Sequence, residues 1–83
     1  MPWSWDRMPM LETPAKVLAK TMRIREGEKI QTEYYISFEL PDRERIFFHV
    51  DLEKYITLLE GELGMLRYKV SGSTKRFEGF ERD

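Results

Sequence analysis

Apolar and polar residues alternate most clearly over two neighbouring stretches of the chain, residues 32–40 and 45–50. Looser alternation is found over residues 15–26, 65–70 and 75–80. A period of two is typical of strands with one buried face, so the pattern predicts five strands with these bounds. A helix is the alternative over residues 15–20, because Ala, Leu and Lys favour helices.

A helical period replaces the alternation between the third and fourth predicted strands. Asp51 is a good N-cap residue, because its carboxylate can accept a hydrogen bond from the first helical turn. After it, apolar residues recur at helical spacing, at Leu52, Tyr55, Ile56 and Leu59. The spacing predicts a helix over residues 52–60 with this face buried. Gly61 then supplies the left-handed residue that often ends a helix.

The order of elements is therefore β-β-β-α-β-β. A small five-stranded sheet with one amphipathic helix buries its apolar face best by curling into a barrel, with the helix between the third and fourth strands. We predict a mainly β, OB-like barrel over residues 14–83, preceded by an arm over residues 1–13; an SH3-like barrel is the alternative. The predicted core is aromatic and aliphatic: Val17, Tyr34, Ile36, Phe38, Leu40, Ile46, Phe48, Val50, Tyr55, Leu59, Leu66, Tyr68 and Phe77.

The second and third strands are expected to form a hairpin whose register is set by burial, because a slip of one residue turns every side chain to the other face. The two apolar sets then meet as three pairs: Leu40 with Ile46, Phe38 with Phe48, and Ile36 with Val50. This register leaves residues 42–44 as the loop, in which either Arg43 or Glu44 takes a left-handed conformation or the loop is wider. A two-residue turn that opposes Phe38 and Phe47 is the competing register.

Composition removes several classes of function. The chain has 83 residues, enough for one domain, and 14 basic against 15 acidic residues give a net charge of −1. A near-neutral chain lacks the basic footprint of general nucleic-acid binding. There is no cysteine, which excludes disulfides and zinc–thiolate sites, and the one histidine, His49, cannot form a cluster. Because no apolar run approaches the length of a membrane span, we expect the chain as given to be soluble.

Aromatic and glycine motifs are spread over residues 14–82: AKVLAK at 15–20, YYISFE at 34–39, Tyr55 with LLEG at 58–61 and Gly64, Arg76 with Phe77, and GFER at 79–82. Together they resemble bacterial domain-of-unknown-function family 2500. The resemblance implies a small β-barrel that is commonly carried behind an N-terminal transmembrane helix, and it implies no activity and no functional residues. Because no such helix precedes the motifs here, we expect either a soluble member or one that lacks its anchor.

A candidate ligand face lies on the outside of the predicted barrel. Tyr35, Phe47 and His49 point outward in the predicted register and are candidate stacking platforms. Four basic residues on the last two strands could add a local positive surface: Arg67, Lys69, Lys75 and Arg76. Acidic residues on the same sheet offset this charge. A solvated surface of mixed charge is therefore the competing interpretation, and nucleic acid is not the expected partner.

The N-terminal arm is rich in tryptophan and methionine. Trp3, Trp5, Met8 and Met10 fall within ten residues that show no regular period. Tryptophan is favoured where one side of the ring is apolar and the other is wet. Three interpretations compete: the arm covers an apolar seam of the barrel, it docks on a partner or a second copy, or it touches a membrane surface beside a missing anchor.

No catalytic or cofactor motif stands out. Asp51 lies two residues from His49, but an exposed strand histidine is the favoured interpretation, and the carboxylates lack the spacing of a calcium loop. We therefore predict no catalytic, metal-binding or cofactor-binding residues. The expected function is a noncatalytic bacterial binding or accessory module, cytoplasmic or membrane-associated, with a protein partner held by Trp3, Trp5 and the outer sheet face. The alternatives are an OB-type binder of single-stranded nucleic acid or oligosaccharide, and a membrane-associated domain without its anchor.

Overall fold

The part of the chain that the computed structural model describes, residues 5–83, is one antiparallel sheet of five strands with one short α-helix. The elements are a 3₁₀ turn (Trp5–Arg7), β1 (Leu11–Arg25), β2 (Gln31–Glu39), β3 (Arg45–Val50), α1 (Leu52–Thr57), β4 (Leu63–Ser71) and β5 (Thr74–Arg82). The strand order across the sheet is β3-β2-β1-β4-β5. The predicted mainly β architecture, with its helix between the third and fourth strands, is confirmed.

β1 is the long central strand and pairs along both of its edges. Its first part, from Leu11 to Lys16, pairs with β4, and the remainder pairs with β2. The strand begins earlier than predicted because these first residues have β4 as a partner, so the predicted arm of residues 1–13 overlaps the sheet. A β-bulge between Val17 and Ala19 lies where the strand passes from one partner to the other. Bulges bend a strand and increase its twist, which allows the sheet to curl.

The core lies on the concave side of the curled sheet. One cluster of buried residues forms it: Ala15, Val17, Ile36, Phe38, Ile46, Phe48, Val50, Leu58 and Leu66. Partly buried residues pack against this cluster: Tyr34, Leu40, Tyr55, Tyr68, Phe77 and Phe80. Every predicted core residue except Leu59 lies in the cluster or against it. The prediction missed Ala15, Leu58 and Phe80.

The hairpin of β2 and β3 keeps the predicted faces, but the predicted register is wrong. Phe38 lies opposite Ile46 and Ile36 lies opposite Phe48, so each partner is displaced by two residues from the expected pairing. Because the displacement is even, apolar side chains still meet apolar side chains. The competing register is also excluded, since Phe47 lies opposite Ser37.

The turn between β2 and β3 explains the displacement. The Arg43 N–H donates to the Leu40 carbonyl at 2.9 Å, and the Leu40 N–H donates to the Glu44 carbonyl at 2.8 Å. The loop therefore has the predicted three residues, but it covers residues 41–43, one position earlier. Pro41 suits the first central position of such a turn because its φ is already fixed. Arg43 takes the left-handed conformation, with φ of 70°.

α1 begins as predicted and ends early. The Asp51 side chain accepts a hydrogen bond from the backbone N–H of Lys54 at 2.9 Å, which confirms the N-cap. The helix ends at Thr57, not at residue 60, because Leu58 adopts an extended conformation with φ of −88° and ψ of 131°. That conformation is accompanied by burial of the Leu58 side chain in the core.

The segment after α1 pairs with β1 instead of continuing the helix. The Gly61 N–H donates to the Val17 carbonyl at 2.7 Å, and the Val17 N–H donates to the Glu62 carbonyl at 2.9 Å. Gly61 has the expected positive φ, 94°, but it belongs to this connection and does not end the helix. Most of the predicted apolar helix face is exposed, at Leu52, Ile56 and Leu59.

The two edge strands, β3 and β5, approach each other without completing the barrel. The ring centroid of Phe48 on β3 lies 5.8 Å from that of Phe77 on β5. Between these strands, as far as residues 5–83 show, no backbone hydrogen bond is made. We call the gap between them the seam. The domain is therefore an OB-like barrel that is open along one line.

Candidate ligand-binding face

Three aromatic side chains gather on the outer surface of β2 and β3. Tyr35 and His49 are register partners, and their ring centroids lie 5.3 Å apart. Phe47 lies 6.3 Å from Tyr35 in an edge-on arrangement. We call Tyr35, Phe47 and His49 the aromatic face. The structure thus brings together the three aromatic residues that the sequence pattern placed outside the barrel.

Strand alternation produces this exposure. Phe48 is 2% exposed and points into the core, so its neighbour Phe47 points outward and is 68% exposed. A single exposed hydrophobic residue is ordinary in a soluble protein. Three neighbouring rings are different, because aromatic residues are enriched where proteins bind other proteins.

Of the four predicted basic residues, Lys75 lies beside the aromatic face. Lys75 and Ser73 line one side of a groove, and Phe47 and His49 line the other. No ion pair involves Lys75 within the described part of the chain. A ligand on the aromatic face would therefore meet an ammonium group that has no ion-pair partner among the described residues, together with Glu44, which lines the same groove.

Arg67 does not join this group. It forms ion pairs with Glu12 at 2.6 Å and with Glu81 at 3.7 Å. The hydrogen bond from Arg67 to Glu12, together with the charges of both carboxylates, raises the pKa of Arg67 above its ordinary value. Arg76 is also compensated, since its Nε lies 3.1 Å from a carboxylate oxygen of Glu78. The predicted positive surface is therefore interrupted by acidic partners.

Trp5 lies against two of the predicted basic residues. Its carbonyl accepts a hydrogen bond from Lys69 Nζ at 2.9 Å. The guanidinium carbon of Arg76 lies 5.8 Å from the centroid of the Trp5 ring. These contacts favour the interpretation in which the arm packs over the seam. Trp3, the other tryptophan assigned to a partner contact, lies outside the described residues.

Two residues at the aromatic face were missed by the sequence analysis. Arg45 lines the groove beside Phe47, and its position could have been inferred because it shares the outward phase of β3 with Phe47 and His49. Ser73 lines the opposite side of the groove. No local signal places Ser73 there, because its position depends on how far the sheet curls.

The geometry offers no acid–base pair at His49. The Asp51 carboxylate accepts the backbone N–H of Lys54 as a helix cap, and the His49 ring packs against Tyr35. Among residues 5–83 there is no group of three or more acidic or histidine side chains that could hold a metal ion.

A second set of apolar side chains is exposed on the hairpin of β1 and β2. Met22, Ile24 and Ile30 are all exposed there. Met22 lies opposite Tyr34 in the register, so it lies on the inner side of the sheet, beyond the core.

None of the helices in the described part of the chain is long and apolar enough to span a membrane.

The fold and the surface define a small OB-like β domain with an exposed aromatic face. No family model matches the sequence, and no curated protein matches it. The crystal structure of a domain-of-unknown-function 2500 protein from Klebsiella pneumoniae is similar, with 25% identity and a TM-score of 0.71 over 88% of this chain and 96% of that chain. A crystal structure from Proteus penneri shows the same fold, with 24% identity and a TM-score of 0.75 over 90% of this chain and 99% of that one. The predicted resemblance is confirmed, and the chain carries a domain similar to that of family 2500.

Proposed function

We propose that the protein is a noncatalytic binding module whose aromatic face receives the surface of a partner protein. The observation that carries the proposal is the exposure of Phe47 within a cluster of three rings. Phe47 is 68% exposed, and Tyr35 supports it edge-on from the neighbouring strand. Buried aromatic side chains commonly supply a large share of the energy of protein interfaces.

The position of the aromatic face on the fold supports its role as a binding surface. OB-fold barrels bind oligonucleotides and oligosaccharides on the face of the second and third strands and with the loops beside it. The aromatic face occupies that position, and Lys75 flanks it from the start of β5. The fold alone does not define a function. The fold does hold the rings in place, because residues 34–39 of β2 pair with residues 45–50 of β3 without a bulge.

Charge favours a protein partner over a nucleic acid. The net charge is −1, and Glu12 and Glu78 compensate two of the predicted cations, Arg67 and Arg76. Affinity for nucleic acids comes largely from cations that neutralise successive phosphates. Near the aromatic face the uncompensated cations are Lys75 and Arg45, counted over residues 5–83.

A photoreactive phenylalanine analogue at position 47 tests the proposal in the native host. We expect a covalent adduct with one protein, which mass spectrometry identifies. The matched control carries the same analogue at Ile30, which is 76% exposed and lies immediately before β2, away from the aromatic face. Equal adducts from both positions, or no adduct from position 47, would contradict the proposal.

Binding of the purified partner then tests the role of the ring. Phe47→Ala should weaken binding at least about tenfold, as expected for a central aromatic contact. Phe47→Tyr keeps the ring and should retain most of the affinity, and Ile30→Ala should retain all of it. Salt-sensitive binding of an oligodeoxythymidine that depends on Phe47, without any protein adduct, would replace the proposal with the nucleic-acid alternative.

A further inference from the structure

One groove on the seam holds a residue from the chain's own arm. Trp5 lines this groove together with His49, Lys54, Lys75 and Arg76. Trp5 opens the 3₁₀ turn that precedes β1, and its side chain is partly buried. An aromatic side chain from outside the sheet therefore borders a groove that residues of both edge strands also line.

Two cations hold Trp5 from β4 and β5. Lys69 and Arg76 are register partners, so their side chains leave the same face of the sheet. Lys69 donates to the Trp5 carbonyl, while Arg76 lies over the indole ring. Tryptophan gives the strongest cation–π contact among the aromatic residues. The ring and the backbone of Trp5 are therefore recognised separately, which favours a tryptophan over an aliphatic residue.

The tether that carries Trp5 is short. Leu11, the first residue of β1, follows Trp5 after five intervening residues. A short tether raises the effective concentration of Trp5 at the groove, so weak contacts suffice to keep it bound. The contact can open, because the turn that carries Trp5 is short: within residues 5–10 it is closed by the hydrogen bond from the Met8 N–H to the Trp5 carbonyl at 3.2 Å.

We propose that the groove on the seam is a binding site for a tryptophan-bearing turn, and that the arm is its reversible intramolecular occupant. In the docked state the arm contacts Lys69 and Arg76. His49 and Lys75 line both this groove and the groove at the aromatic face. Docking or release of the arm therefore changes the surroundings of His49 and Lys75, at the border of the aromatic face. Docking of the arm can be measured without a partner protein, so its failure and the failure of the proposed function can be told apart.

Tryptophan fluorescence tests whether the docked state exists in solution. Trp3→Phe leaves Trp5 as the only tryptophan in the chain. We expect acrylamide to quench Trp5 less in this full-length variant than in a free peptide of residues 1–10 with the same substitution. Adding Lys69→Ala and Arg76→Ala should raise the quenching constant roughly twofold, because both holding contacts are lost.

The matched control removes two cations that lie far from the arm. Lys29→Ala and Arg43→Ala, from the loops at the ends of β1 and β2, should leave the quenching of Trp5 unchanged. Equal quenching in the chain and in the free peptide would overturn the proposal. So would quenching that rises on dilution, because a concentration-dependent contact would mean that the arm docks on a second copy.

Exchange of the arm tests whether the groove is a site for an external segment. In a Trp5→Ala chain, a peptide of residues 1–10 should shift the backbone NMR signals of His49, Lys69 and Arg76. The wild-type chain should need a roughly tenfold higher peptide concentration, because its own arm competes. A Trp5→Ala peptide should cause no shifts, although it retains Trp3. Equal peptide binding by both chains, or none by the Trp5→Ala chain, would overturn the proposal, provided that both chains unfold at the same denaturant midpoint.

Discussion

The rings of Phe38 and Phe77 lie nearly parallel, with 14° between their planes and 6.0 Å between their centroids. Phe38 belongs to β2 and Phe77 to β5, which lie on opposite sides of the central strand in the sheet. Phe38 also contacts Phe48, with 5.9 Å between centroids. Phe77 also contacts Phe48, so the side chains of β2 and β3 both meet β5. These contacts join the two halves of the sheet at the seam, where the described residues make no backbone hydrogen bond between β3 and β5.

Phe38→Ala should therefore lower the free energy of unfolding by about 3–5 kcal/mol, the usual cost of removing a buried ring. The Phe38 side chain is fully buried, and its removal would leave a cavity between the two halves of the barrel. Urea denaturation measures the loss. The control is Phe47→Ala, which removes an exposed ring from the neighbouring strand and should change stability by less than about 0.5 kcal/mol. A loss below about 1 kcal/mol for Phe38→Ala would contradict this account of the core.

The turn at Arg43 predicts a stabilising substitution. Arg43 holds φ of 70°, which costs a residue with a Cβ more than it costs glycine. Arg43→Gly should raise the free energy of unfolding by about 0.5–1 kcal/mol, measured by urea denaturation. Arg45→Gly is the matched control. It places glycine within the regular strand β3 and should lower stability by about 0.5–1 kcal/mol. A loss of stability in Arg43→Gly would show that the left-handed turn is wrong.

Because β4 and β5 are in close contact at Gly64, a substitution that adds a side chain there should destabilise the fold. A Cβ on Gly64 would overlap the carbonyl oxygen of Glu81 on the paired strand. Because that atom belongs to the backbone, the strands must separate to accommodate even a methyl group. Gly64→Ala should lower the free energy of unfolding by about 1–3 kcal/mol. Gly79→Ala, where nothing lies within 4 Å of the added Cβ, should change it by less than about 0.5 kcal/mol. Similar losses for the two variants would rule out the close approach.

The strands were predictable from the sequence because alternation is a local signal. The faces of β2 and β3 follow directly from it, and so does the grouping of Tyr35, Phe47 and His49 on the outside. The register was not predictable, because it depends on which residues form the turn. Moving the loop to begin at Pro41 shifts every pair by two residues without changing any face, so burial alone could not distinguish the two registers.

The end of α1 and the ion pairs of the basic residues were not predictable for a different reason, because both involve partners distant in sequence. α1 ends at Thr57, and the residues that follow it, Gly61 and Glu62, pair with Val17 of β1. No pattern within residues 52–60 shows that this pairing with a distant strand replaces the last helical turn. Similarly, Arg67 is neutralised by Glu12, from the start of β1. Periodicity reports which side of an element faces the core, whereas charge compensation depends on the tertiary fold.

Glu62 ties the connection after α1 to the C-terminal strand, and its ionisation should make stability depend on pH. Its carboxylate accepts the Leu59 N–H at 2.6 Å and pairs with Arg82. The Leu59 hydrogen bond, opposed by partial desolvation and assisted by Arg82, lowers the pKa of Glu62 below its ordinary value. A carboxylate whose pKa is lowered on folding stabilises the fold fully above its unfolded pKa, about 4.3 for glutamate. That contribution disappears as the pH falls through the lower, folded pKa.

Glu62→Gln should consequently be less stable than the wild type at neutral pH, and the gap should close as the pH falls from about 5 toward 3. The direction follows because the wild type loses its carboxylate over that window, while the glutamine has no charge to lose. The urea denaturation midpoints of the wild type and of Glu62→Gln, measured between about pH 5 and pH 3, report this difference in stability. Glu28→Gln, in the exposed loop between β1 and β2, gives the background expected from removing any surface carboxylate. A gap for Glu62→Gln that stays constant or widens in acid would mean that Glu62 does not hold Leu59 and Arg82 through its charge.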